Sequence, residues 1–179
     1  SVLVTFDPHP REILNEKVNN FPLIMNMEQK LKIIESHGVD FVYVINFSKE
    51  YSRITPNDFM NQTIIPLFNP KIIIIGANHF FGKGREGSPS YLKNFGKNNH
   101  IEIIIIQPIL NKNVEISSTR IRKFITSGLI EKANYELGTK FSIQGEVVHG
   151  SGRGRILNFK TANIKPLDKN QLLPKKGVY

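Results

Sequence analysis

The sequence predicts an α/β protein: a doubly wound parallel sheet, followed by the start of a small antiparallel β-barrel module. Three observations predict it. Short apolar runs alternate four times with helix-like stretches between residues 2 and 107. Those runs are continuously apolar rather than alternating, as strands covered on both faces must be. After Gly138 the pattern changes to in–out alternation with frequent glycine and proline, as in a small β domain.

The elements follow in order. Residues 2–6 are β-branched and apolar, and Pro8 and Pro10 stop the strand. Residues 27–36 predict a helix, with Asn26 as N-cap and Gly38 just past its end. Residues 41–47 form a second apolar strand. Thr55-Pro56 opens the next helix, Thr55 capping and Pro56 taking the first helical position, and it runs to about residue 67. Residues 71–75 and 101–107 are the third and fourth strands, with a helix over 90–97 between them. Ser117 or Ser118 caps a helix ending near Gly128, and residues 130–137 form another ending at Gly138. Residues 141–148 alternate like an antiparallel strand. The domain boundary is placed at 138/139, giving domains of 1–138 and 139–179.

Composition narrows the function classes. Lys and Arg number 24 against 15 Asp and Glu, a formal charge of +9, but no block of five or six like charges occurs. Such a surface suits small polyanions; a nucleic-acid binder would carry a contiguous basic stripe with interleaved aromatics, and none is seen. The absence of cysteine excludes disulfides and thiolate catalysis and fits a cytoplasmic setting. No apolar run approaches the roughly 18–20 residues that span a bilayer, and no secretory pattern opens the chain.

In an open α/β sheet the ligand crevice lies beyond the carboxyl ends of the strands. After the first strand comes Asp7-Pro8-His9-Pro10. It reads equally as a rigid wall for a planar ligand and as a proline-rich turn with a surface His. After the third strand comes Gly76-Ala77-Asn78-His79-Phe80-Phe81-Gly82-Lys83-Gly84-Arg85. Its glycines permit close approach, its rings offer stacking, and Asn78 offers a bidentate amide. The alternative is a long surface loop whose Phe residues tuck into the core. After the fourth strand comes Ile116-Ser117-Ser118-Thr119-Arg120-Ile121-Arg122. Hydroxyls at a helix N-terminus favour an anion, and Arg122 lies one turn in, within reach of the same anion. The plainer reading is a Ser N-cap with solvated arginines. Further on, Gly150-Ser151-Gly152-Arg153-Gly154-Arg155 is a basic glycine loop able to fold over phosphates. Thr161 and Asn163, two apart on one strand face, are hard oxygen donors suited to Mg²⁺, or else an exposed polar pair.

Taken together, these segments resemble a known family. Thr5-Phe6-Asp7-Pro8-His9-Pro10, Gly76-x-Asn78-x-x-Phe81-Gly82 and Ile116-Ser117-Ser118-Thr119-x-Ile121-Arg122 stand in the order of the prokaryotic FAD synthetases. Val148-His149-Gly150-x-Gly152-Arg153-Gly154-Arg155 and Phe159-x-Thr161-Ala162-Asn163 resemble the entry to the riboflavin kinase module of the bifunctional members. The resemblance spans the chain and implies a Rossmann-like nucleotidyltransferase domain joined to a flavokinase. By the same resemblance Ser117, Ser118, Thr119 and Arg122 hold the phosphates of ATP. Pro8, His9, Pro10, Asn78 and Phe81 line the flavin side. Gly150, Gly152, Arg153 and Gly154 cover the kinase nucleotide, and Thr161 and Asn163 bind Mg²⁺. The implied reactions are transfer of AMP from ATP to FMN and phosphorylation of riboflavin to FMN.

The sequence departs from the family pattern at two places. Asn158-Phe159-Lys160 stands where Gly-Phe-Pro is usual, and His79 stands where Phe is commoner. The family's His-x-Gly-His segment and the kinase's catalytic carboxylate fall outside the chain, so a fragment inactive on its own is the expectation. The competing readings are a related nucleotidyltransferase with another acceptor, and a non-catalytic flavin or nucleotide binder. Expected partners are small molecules, with no nucleic acid and no membrane, in a monomer or weak oligomer.

Overall fold

The two isoleucine runs pair with each other. Strand β3 (Ile72–Gly76) lies parallel to β4 (Glu102–Ile106), with Ile72 opposite Glu102 and Gly76 opposite Ile106. A parallel pair needs a crossover, supplied here by helix α5 (Pro89–Asn99). Ser88 caps α5, accepting from the Tyr91 N–H at 3.1 Å, and Pro89 takes its first turn. The register puts Ile73, Ile75, Ile103 and Ile105 on one face and Ile72, Ile74, Ile104 and Ile106 on the other. Helix α5 covers the first face through Gly96, which lies directly against Ile103. On the second face Ile72 and Ile74 are 50% and 63% exposed. The expectation of strands covered on both faces is therefore corrected for β3. Among the described residues, one face is covered and the other faces solvent.

The computed structural model describes residues 1–15, 21–149 and 162–176. The chain resolves into two compact units, interleaved in sequence. One comprises Ser1–Thr5, Asn15–Val44 and Ser117–Tyr179; the other comprises Phe6–Leu14 and Ile45–Ile116.

Strand β1 (Val2–Asp7) pairs with β2 (Phe41–Asn46). The Phe41 N–H donates to the Ser1 carbonyl and the Phe47 N–H to the Asp7 carbonyl, so the strands run in the same direction. The class is mixed α/β with parallel pairing, as predicted. The strands are hydrogen-bonded two by two, β1 with β2 and β3 with β4.

Helix α1 (Pro10–Leu14) follows β1 directly. The sequence reading placed Pro10 in a rigid loop. Its fixed φ and missing N–H instead suit the opening of a helix. Helix α2 (Met27–Ser36) has the predicted Asn26 cap as a full capping box. Asn26 Oδ1 accepts from the Gln29 N–H at 2.9 Å, and Gln29 Oε1 accepts from the Asn26 N–H at 3.0 Å. Gly38 follows with a φ of +74°.

The helix predicted from Thr55 is three pieces: α3 (Pro56–Phe59), a π-helical turn (Met60–Ile64) and α4 (Ile65–Phe68). Thr55 caps as expected, its Oγ1 accepting from the Asp58 N–H at 3.1 Å. The π turn has a cause in the sequence. Pro66 has no N–H to continue an α ladder, and the Ile65 N–H reaches five residues back to the Met60 carbonyl.

A hairpin not foreseen in the sequence joins β5 (Leu110–Asn111) to β6 (Val114–Glu115). Its two-residue turn, Lys112-Asn113, has φ values of +51° and +62°, the mirror-image geometry that matches strand twist.

Helices α6 (Ser118–Thr126) and α7 (Ile130–Leu137) form a helical hairpin closed by Gly128, with Ile121, Ile125 and Ala133 buried in its core. Gly138 ends α7 in the left-handed region, as predicted. Strands β7 (Gly145–Val148) and β8 (Asn163–Pro166) form the antiparallel pair of the later segment, with Val148 opposite Asn163. The expected strand over 141–148 begins only at Gly145. Residues 141–144 are held by side chains instead: Gln29 Nε2 donates to the Ser142 carbonyl at 3.2 Å, and Asn26 Nδ2 donates to Gln144 Oε1.

Candidate functional site

The expected phosphate-side residues lie together on the first turn of α6. Ser117 is its N-cap, with extended backbone (φ −144°, ψ 154°), and its Oγ accepts from the Arg120 N–H at 3.3 Å. Because that oxygen is used as an acceptor, the Ser117 O–H remains to donate. Ser118 and Thr119 are the next two residues, and both are exposed. The N–H groups of a first helical turn point outward without intrahelical partners. The turn therefore presents hydroxyls, backbone donors and the positive end of a helix dipole, which suits an oxyanion.

Arg122 is one turn in, as its spacing requires, but its side chain is also held elsewhere. Nε donates to the Pro22 carbonyl at 2.8 Å, and the guanidinium carbon lies 4.6 Å from the centroid of the buried Phe21 ring. Sequence reasoning passed over Arg120. Its Nη2 donates to Glu136 Oε1 at 2.7 Å, and the Glu136 side chain is buried.

The expected flavin-side residues fall in the other unit. Phe6 begins a row of rings. It meets Phe47 edge-on at 5.4 Å; Phe47 neighbours Tyr51, Tyr51 meets Phe59, and Phe59 meets Phe81 at 5.4 Å. This row links the end of β1, where Pro8, His9 and Pro10 follow, to the loop after β3. His9 Nδ1 accepts from the Arg11 N–H at 3.1 Å, so the neutral ring carries its proton on Nε2.

The loop after β3 turns one of its two phenylalanines inward and leaves the other exposed. Phe81 turns inward, against Phe59 and Tyr91, and is half-buried. Phe80 stays exposed under the Arg85 guanidinium, whose carbon is 4.9 Å from the ring centroid. Two backbone hydrogen bonds between Phe81 and Gly87, of 3.1 and 2.9 Å, close the loop. Asn78 Nδ2 donates to Glu115 Oε1 at 3.0 Å, so the carboxylate turns the amide nitrogen toward itself and the amide oxygen away.

His79 stacks on Phe81, with centroids 6.1 Å apart and planes 27° from parallel. His79 is exposed as a residue, but the ring loses solvent where it stacks on Phe81, and this desolvation holds its pKa below the ordinary 6.5. A folded-state value below the unfolded one means that the neutral ring stabilises the loop above about pH 6.5 and that this contribution is lost as pH falls. A proton NMR titration of the His79 ring is expected to show its midpoint below 6.5. A midpoint at or above 6.5 would mean that the ring is fully solvated and the stack loose.

Of the kinase positions, Asn163 opens β8 and is exposed. Gly150, Gly152, Arg153, Gly154 and Thr161 lie outside the described residues. Among the described residues no group of three or more His, Cys, Asp or Glu gathers as a metal site. Asn163 brings one neutral oxygen, which does not build a Mg²⁺ cage by itself.

The structure is that of a mixed α/β protein with a hydroxyl-lined helix N-terminus and an aromatic loop beyond a parallel strand, and in open α/β folds ligands lie beyond the carboxyl ends of the strands. The comparisons make the class specific. A family model described as FAD synthetase matches residues 1–120, and one described as riboflavin kinase matches residues 137–179. The chain belongs to the FAD synthetase family. A bifunctional riboflavin kinase/FMN adenylyltransferase of Buchnera aphidicola (from Schizaphis graminum) is 40% identical over 180 residues, covering 100% of this chain and 57% of its own length. The protein of the same description from Escherichia coli K12 is 31% identical, covering 99% and 56%. A crystal structure from Streptococcus pneumoniae, described as a macrolide-efflux protein, superimposes with a TM-score of 0.89 at 34% identity, covering 99% of this chain and 57% of that one. No helix among the described residues is long and apolar enough to cross a membrane. The chain thus spans a little over half the length of the relatives that it matches.

Proposed function

We propose that the protein to which this chain belongs makes FAD. The phosphate oxygen of FMN attacks the α-phosphorus of ATP, the α–β bridging bond breaks, and pyrophosphate leaves. We further propose that the segment from 139 onward belongs to a kinase that phosphorylates riboflavin to FMN, the substrate of the first reaction. One observation carries this reading: a FAD synthetase match and a riboflavin kinase match follow each other on one chain, in the order of the bifunctional relatives.

The geometry supports the roles that the family resemblance implies. The first turn of α6, with Ser117, Ser118 and Thr119, takes the phosphates of ATP, and Arg122 adds charge one turn in. The Pro8–Pro10 segment, Asn78 and Phe81 take the flavin. The amide oxygen of Asn78, directed away from Glu115, suits the ring N–H of an isoalloxazine. Such a transfer rests on in-line positioning and charge neutralisation rather than on a covalent intermediate. Mg²⁺ belongs to this proposal as the counter-ion of ATP.

The test is a chromatographic assay of the intact gene product with FMN and Mg·ATP. FAD and pyrophosphate in equal amounts are expected. AMP transfer to a different acceptor, with FMN left untouched, would overturn the flavin assignment.

A further inference from the structure

Glu136 occupies a place that disfavours a carboxylate twice over. It is one residue from the C-terminus of α7, where the helix dipole is negative, and its side chain is 1% exposed. Arg120 pairs with it: its side chain is 23% exposed and its Nη2 lies 2.7 Å from Glu136 Oε1. Arg120 is the third residue of α6, directly after Ser118 and Thr119. Its backbone N–H is the donor that Ser117 Oγ accepts, and its guanidinium also lies 5.3 Å from the centroid of Phe124 on the same helix. One residue therefore ties the cap of α6 to the last turn of α7. Helix first turns fray when nothing pins them, and a charged N–H aimed at one carboxylate oxygen at 2.7 Å fixes the side chain's direction as well as its distance.

We propose that Glu136, acting through Arg120, is the positioning residue for the turn formed by Ser117, Ser118 and Thr119. This inference rests on the proposed role of that turn in holding the phosphates of ATP. Arg122, anchored on Phe21 and Pro22, steadies the same helix from a second direction. The pair sets where the hydroxyls and backbone donors stand, and Glu136 itself touches no substrate. Its length therefore matters more to ATP than its charge does.

Two variants of the intact protein separate length from charge. Glu136→Asp keeps the charge but draws the carboxylate back by roughly 1.5 Å, one C–C bond. Glu136→Gln keeps the length and one oxygen for Arg120 but removes the charge. For Glu136→Asp the KM for ATP in FAD formation is expected to rise about tenfold or more, since displacements near 1 Å have effects of that order. The variant's Tm should fall, because the buried carboxylate recedes from Arg120, while riboflavin phosphorylation by the same preparation should stay close to wild type. For Glu136→Gln, Tm should fall while the KM for ATP stays close to wild type. A Gln variant with the larger rise in KM, or an Asp variant with unchanged KM, would make the pair a packing contact and overturn the proposal. Absence of FAD formation by the wild-type protein is a separate result: it would overturn the functional reading, and this inference with it.

Discussion

Gly96→Ala is expected to destabilise the unit built on β3 and β4 by roughly 2 kcal/mol. Gly96 is buried on the inner side of α5, and a Cβ there would stand 2.5 Å from the Ile101 carbonyl oxygen and 2.7 Å from Ile103 Cγ1. Side chains can rotate away from such a clash, but this carbonyl cannot. It belongs to the residue whose own N–H donates to the Gly96 carbonyl at 2.9 Å, so helix end and strand start are locked together. Overpacking of a tight contact costs about 1–3 kcal/mol, and here the upper end applies because the obstacle is backbone. Alanine returns about 1 kcal/mol in helix propensity, which leaves the net loss stated. Urea denaturation should show a lower midpoint with an unchanged slope. An unchanged midpoint would mean that α5 sits further from β4 than the structure places it.

Gly96 also marks a limit of what the sequence discloses. The isoleucine runs, the Asn26, Thr55 and Ser117 caps, and the stops at Gly38 and Gly138 were legible, because each depends on a few adjacent residues. The strands themselves were read correctly from their apolar runs, but a run does not say which strand lies beside it. The pairing of β1 with β2 and of β3 with β4 is information held only in three dimensions. The same holds for the exposed face of β3, since four isoleucines in a row look alike whichever face is covered. The hairpin over Leu110–Glu115 was missed because its turn is Lys112-Asn113 rather than Asn-Gly, and Lys rarely adopts positive φ. The π turn did leave a signal in Pro66, which stands inside an otherwise helical pattern.

The site shows the same division. Hydroxyls at the N-terminus of α6 were visible as a string of residues. The anchor of that turn was not, because Arg120 and Glu136 lie on different helices. One trace existed: Glu136 falls three residues after the buried Ala133, on the inward stripe of α7, where an apolar residue is expected. For the loop after β3, composition offered two uses for its rings and could not assign them. The structure divides them, Phe81 inward and Phe80 outward.

That division leads to the prediction that bears most on flavin binding: Gly87→Ala is expected to weaken FMN binding about tenfold while leaving ATP binding unchanged. Gly87 is buried and lies flat against Phe81, where a Cβ would meet Cε1, Cδ1 and Cζ of the ring at 2.6, 2.7 and 2.8 Å. The two residues are joined by a pair of backbone hydrogen bonds, so the backbone of Gly87 cannot retreat without opening the loop. The ring must yield instead. Phe81 has Phe59 at 5.4 Å, Tyr91 at 6.1 Å and His79 stacked at 6.1 Å, so turning it disturbs each of these contacts in turn. Aromatic contacts of this kind are worth about 0.5–1.5 kcal/mol beyond their buried area, and 1.4 kcal/mol is a factor of ten in affinity. Unlike the carbonyl facing Gly96, a ring at a loop edge can move, so the effect should fall on the ligand more than on stability. Isothermal titration of the intact protein with FMN, and separately with ATP, reads the two apart. A weakened FMN isotherm with ATP unchanged places Phe81 on the flavin side. Unchanged FMN binding with a lowered Tm would make Phe81 a core residue and shift the flavin-facing role to its exposed neighbour Phe80, which Arg85 already covers from one face.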